Sequence, residues 1–105
     1  MDIVNENTTY RVVAEFISEQ GAPVIPTAGT YRLDDVISDT VLKDATAFTP
    51  SGSQHVFTID YGDNRIIDPD NDLEERVLTV VAQYGTGKQC TGEYRYKIRN
   101  LSKVE

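Results

Sequence analysis

The sequence predicts an all-β protein, an antiparallel β-sandwich of six to seven short strands. Three observations carry that expectation. Residues Arg76–Arg99 read as two long strands joined by a tight turn. Turn signals recur about every ten residues along the rest of the chain. No stretch carries the three-to-four-residue apolar period of an amphipathic helix.

In the second arm of the hairpin, Cys90, Gly92, Tyr94, Tyr96 and Ile98 alternate with Gln89, Thr91, Glu93, Arg95, Lys97 and Arg99. Small or aromatic residues on one side and polar ones on the other describe a strand with one buried face and one wet face. The first arm places Leu78, Val80, Ala82 and Tyr84 on one side, with Val77 and Val81 on the other. A strand apolar on both sides belongs in the middle of a sheet. Gly85, Thr86 and Gly87 are expected to supply the positive φ angles of the turn. A hairpin alone is marginal in water, so the earlier segments must cover its apolar face.

Residues 1–8 are polar and expected to fray. Thr9–Ile17 reads as a strand with Tyr10, Val12, Ala14 and Phe16 inward, and Glu19-Gln20-Gly21 as a turn. Val24-Ile25 is a short apolar pair stopped by Pro26, a composition that suits a sheet edge because proline lacks the ladder donor. Thr30–Asp34 places Tyr31 and Leu33 inward, and Asp35–Asp39 is a turn. Thr40–Phe48 alternates less strictly and reads as a bent, partly exposed strand. TPSGS at Thr49–Ser53 is a loop. His55–Asp60 is a strand with Phe57 and Ile59 on one face, and Tyr61–Glu75 is the longest connection, in which Arg65-Ile66-Ile67 plugs one end of the core. The chain is thus a single domain over 9–101, with a polar tail at 102–105.

With 105 residues the chain suffices for one core. No apolar run approaches a membrane span, and the N-terminus lacks the basic start and apolar centre of a signal peptide. A single cysteine makes no internal disulfide, which suits a reducing compartment, so synthesis and folding in the cytoplasm are expected. Net charge is −7, which disfavours a nucleic-acid partner. The charge is uneven. Asp60, Asp63, Asp68, Asp70, Asp72, Glu74 and Glu75 crowd one stretch, whereas Lys88, Arg95, Lys97, Arg99 and Lys103 crowd another. Such patches are a soluble surface, or they guide head-to-tail contact between copies.

Few residues suggest chemistry. Asp68, Asp70 and Asp72 alternate as the first ligands of a calcium loop do, with Glu74, Glu75 or Asp63 able to join. The pattern then departs, since Leu73 stands where an EF-hand needs glycine and Thr79 where it needs glutamate. A solvated acidic loop is the reading preferred over calcium. Cys90 and His55 are the only thiol and imidazole. No motif surrounds either, and Cys90 shares the inward face of Tyr94 and Tyr96, so it reads as a small core residue. Gly85-Thr86-Gly87-Lys88 lacks the spacing of a phosphate loop. Tyr61, at a strand end beside the long loop, is the one tyrosine outside the inward pattern and a candidate contact residue.

At Gly21–Asp35 (GAPVIPTAGTYRLDD), Thr49-Pro50, Glu75–Val80 and Tyr94–Leu101 the chain resembles small prokaryotic Ig-like or fibronectin-III-like proteins encoded among tailed-phage and prophage structural genes. The matching motifs mark strands and turns, not a site. The resemblance implies an Ig-like sandwich without enzymatic activity or cofactor, associated with a virion or its assembly. Its partner would be itself or another virion protein. On this reading the interaction surface is the Val24-Ile25 edge, Tyr61 and the outward row Arg95, Lys97 and Arg99. The alternative is a ligand-binding module, with calcium at residues 68–75 or a glycan at loop aromatics.

Overall fold

Seven strands form in the computed structural model, which describes residues 1–103. They are β1 (Ile3–Asn5), β2 (Tyr10–Glu15), β3 (Ala28–Asp35), β4 (Val41–Phe48), β5 (Gln54–Ile59), β6 (Leu73–Gly85) and β7 (Lys88–Arg99). One sheet has the order β1-β7-β6-β3-β4, and the other pairs β2 with β5. Every pairing is antiparallel except β1 with β7, which run parallel. The expected sandwich forms, with β6 at the middle of the larger sheet. That position explains why β6 is apolar on both faces: Leu78, Val80 and Ala82 are buried, and Val77 and Val81 are half-buried on the outer face.

The core lies between the sheets. Val12, Ala14 and Phe16 follow the alternation of β2, Phe57 and Ile59 that of β5, and Leu33, Leu78, Val80, Ala82, Tyr96 and Ile98 come from the opposing sheet. Full burial of a side chain the size of Leu78 or Ile98 stabilises by about 1.5–3 kcal/mol. The flank between β4 and β5 is closed by rings: Phe48 meets Phe57 edge-on at 4.9 Å, and Tyr31 lies 5.1 Å from Phe57. Gly29 makes this possible. A Cβ there would strike the Phe48 ring and come within 2.8 Å of the Val81 carbonyl oxygen.

Several expectations are corrected. Residues 1–8 do not fray throughout: β1 adds to β7, burying Val4 opposite Ile98. Five polar residues in eight hid a strand too short for its alternation to register. β3 runs through Asp35, which is buried, so the turn begins one residue later than expected. Val24-Ile25 forms no sheet edge. Only Ile17 and Pro23 make a bridge there, with Val24 packed on the core and Ile25 exposed. In the β6–β7 turn only Gly87 adopts a positive φ, 69°; a register shift between Gln83 and Gly85 takes up the rest of the bend. The connection after β5 makes a single 3₁₀ turn at Tyr61–Asn64, and Ile66 does pack on the core. Leu101–Lys103 is a 3₁₀ turn; positions 104 and 105 of the expected tail lie outside the described residues.

Candidate interaction surface

The flank opposite the aromatic one stays open. β1 covers β7 over Lys97–Arg99, and Asp2 just before it stands beside Tyr96 with its carbonyl on Lys97 N–H, so from Lys88 to Arg95 the outer edge of β7 has no strand beside it. β2 likewise pairs only with β5. Between these edges lies a cleft of about 230 Å³ lined by Glu15, Phe16, Ile17, Val80, Cys90, Thr91, Gly92 and Tyr94. Its wall mixes apolar and polar groups, and burial pushes the Cys90 thiol and the Tyr94 hydroxyl above their ordinary pKa values. Further along, Tyr10 and Tyr96 close the flank with ring centroids 4.6 Å apart.

Backbone polarity along β7 follows from its neighbours. Lys97 N–H donates to the Asp2 carbonyl, and Arg99 C=O accepts from Glu6 N–H. Odd residues of β7 therefore aim their N–H and C=O away from β6, toward the edge. On β6, Glu75 C=O and Gln83 C=O accept from Val36 and Thr27, so odd residues there face β3 and even ones face β7, in agreement. Gln89, Thr91, Glu93 and Arg95 thus present their backbone groups at an edge that no strand covers.

The outward row predicted from sequence is real, and within it Arg95 is engaged. Arg95 bonds Glu75 at 2.9 Å and Glu93 at 3.0 Å. Glu75 stands opposite Lys97 and Leu73 opposite Arg99. Of the acidic stretch only Glu74 and Glu75 lie in β6, beside the Arg95–Arg99 part of β7; Asp60, Asp63, Asp68, Asp70 and Asp72 lie outside the strands. Tyr61 is exposed, as expected, on its 3₁₀ turn. It is not among the residues that line the cleft.

At the sandwich end beyond β1, polar side chains are buried rather than solvated. Arg76, fully buried, bonds Asp35, the Arg65 carbonyl and, at 3.1 Å, Glu74. Burial would raise the Glu74 pKa. Bonds from the Ile67 and Asp68 amides, Asn71 and Arg76 outweigh it and hold Glu74 below the usual carboxylate range. Asn64 accepts from Tyr96 Oη at 2.7 Å and donates to Thr8 C=O, while Asn100 donates to the carbonyls of Pro69 and Asn71. The acidic loop is thereby folded around Glu74 as its internal acceptor, and Asp68, Asp70 and Asp72 remain exposed. Among the described residues no group of three or more His, Cys, Asp or Glu side chains could hold a metal ion. The sequence reading assigned Glu74 to a solvated loop. A carboxylate two residues before an arginine on an inward-facing strand was the available signal.

His55 packs against Phe48 and Phe57, at 4.7 and 4.6 Å between ring centroids. It does not line the Cys90 cleft, so the two residues are not brought together as a nucleophile and base. No helix among the described residues is long and apolar enough to cross a membrane. The fold and its surface define a seven-stranded β-sandwich with one open flank. No protein-family model, curated protein or solved structure matches the chain.

Proposed function

We propose that this protein is a non-enzymatic interaction module that works by adding a strand to its open flank. The partner is a copy of itself or another protein, in keeping with a role in virion structure or assembly. The observation that carries the reading is the β7 edge from Lys88 to Arg95, free of a neighbouring strand and set over a partly apolar cleft. An added strand gains backbone hydrogen bonds along such an edge and side-chain contacts in the cleft without needing a deep pocket.

The edge contains no proline, and its inward side chains Cys90, Gly92 and Tyr94 carry no charge, while Lys88, Glu93 and Arg95 place charges along it. β4, the other edge of the large sheet, carries the charged Lys43 and Asp44 and shifts register against β3. Solution mass by light scattering across a concentration series, with and without calcium, tests the reading. For a monomer, affinity capture and identification of the captured protein follow. Self-association or one reproducibly captured protein supports the reading. A monomer that captures nothing refutes it, and a calcium-dependent mass favours the acidic-loop alternative.

A further inference from the structure

We infer that the cleft on the open flank receives a lysine or arginine side chain from a strand that another protein adds to β7. The partner is thus an extended segment with apolar residues at alternate positions and a basic one at its centre. This rests on the interaction-module reading and names the chemistry of its partner. Three observations converge on a cation: the shape and lining of the cleft, a carboxylate left unpaired at its rim, and the charge of the whole chain.

The edge fixes where the side chain enters. Gln89, Thr91 and Glu93 aim their backbone groups outward, so an added strand pairs with them and sends every second side chain inward. It has room over Gln89–Glu93 and stops short of Asp2, whose carbonyl holds Lys97 N–H. Within that stretch Gly92 has no side chain, and the Tyr94 ring lies across it, 3.5 Å from where a Cβ would stand. Val80, the partner of Gly92 on β6, is buried beside it. Phe16 and Ile17, at the end of β2 and just beyond, form the facing wall. At about 230 Å³ the cleft is smaller than the roughly 300–1,000 Å³ of small-molecule pockets, and it suits one side chain.

The lining selects a basic side chain. Apolar surface comes from Phe16, Ile17, Val80 and the Tyr94 ring, and Glu15 stands at the rim. Lysine and arginine match that pattern, since each lays an apolar stem against apolar surface and carries its charge at the tip. The tip meets the Glu15 carboxylate, with the Tyr94 ring beside it as a second attraction for a cation. Among the described residues no ion pair involves Glu15. The two cations of the edge are committed elsewhere, Lys88 to Glu19 at 3.1 Å and Arg95 to Glu75 and Glu93. Burial, then the charges of Cys90 and Glu15, raise the Tyr94 pKa, so the negative field of Glu15 extends into the cleft. An apolar side chain leaves that carboxylate without a partner, and an acidic one is repelled by it. The net charge of −7 adds long-range attraction for a basic segment.

The test uses acetylated seven-residue peptides in which threonine alternates with valine and the central inward residue is arginine, norleucine or glutamate. Cys90 lines the cleft and is the only cysteine, so its protection from iodoacetamide reports occupation of this site. The arginine peptide should slow alkylation and bind about five- to tenfold tighter than the norleucine peptide. Its affinity should fall as salt is added, and the glutamate peptide should bind most weakly. Glu15→Gln, a change at an exposed position, should leave the melting temperature unchanged and remove most of the advantage of arginine. Thr91→Pro, which removes an edge donor but no bond to β6, should weaken all three peptides. Equal binding of the arginine and norleucine peptides, or an advantage undiminished by Glu15→Gln, overturns the cation site while strand addition to β7 stands. Binding that Thr91→Pro leaves unchanged overturns the strand placement on which both readings rest. Protection of Cys90 by none of the peptides overturns the inference, and the capture experiment then decides the broader reading.

Discussion

Replacing Arg76 by Met should be the most damaging single change at the polar end of the sandwich. Arg76 is fully buried between β3, β6 and the long connection, and its guanidinium holds Asp35, Glu74 and the Arg65 carbonyl together. Methionine fills much of the space of the arginine stem but leaves two buried carboxylates without their cation. Breaking a buried pair from one side costs about 3–5 kcal/mol. Arg76 Nε has no partner. Its release recovers part of that cost, which argues for the lower half of the range. At roughly 4–8 °C per kcal/mol for a domain near this size, the melting temperature should fall by about 12–30 °C.

The pH dependence distinguishes this account from a simple packing defect. In the native protein the depressed Glu74 pKa contributes stability that is fully present above the unfolded-state pKa and lost as pH falls through the folded value. Arg76→Met removes one source of that depression. The gap between the two proteins, measured by chemical denaturation, should therefore be largest near neutrality and shrink as acid protonates Glu74. Arg76→Lys should rescue only partly, since an ammonium cannot fork to acceptors on three elements. A loss below about 1 kcal/mol at neutral pH, or a gap that does not change with pH, would refute the reasoning.

Alkaline pH should loosen the Tyr10–Tyr96 contact beside Arg76. Burial, the hydrogen bond to Asp2 and the charge of that carboxylate push the Tyr10 pKa up to about 12, and burial raises that of Tyr96 as well. These raised values contribute stability that is fully present below pH 10 and lost as pH rises through the folded values. Tyrosinate absorbance and circular dichroism should change together in that window, and Tyr10→Phe should reduce the loss. Gly29→Ala should destabilise by about 1–3 kcal/mol through overpacking against Phe48 and the Val81 carbonyl. An unchanged melting temperature would show that the ring moves aside freely.

The sequence by itself determined the all-β class, the strands from β2 to β7 and most of the core. Those are local properties: Tyr94, Tyr96 and Ile98 alternate because the pleat sends neighbouring side chains to opposite faces, and that period is written in the order of residues. The central place of β6 was legible for the same reason, since a strand apolar on both faces has little choice. Only the tertiary structure decided what the charges do. Glu74 and Arg76 read as members of a wet loop and a strand end, yet pairing β6 with β3 and folding the long connection over them buries both. Arg95 read as free until the hairpin register set it beside Glu75 and Glu93. The open flank was likewise invisible in sequence. An edge is defined by the strand that is not beside it, and strand order is a property of contacts far apart in the chain.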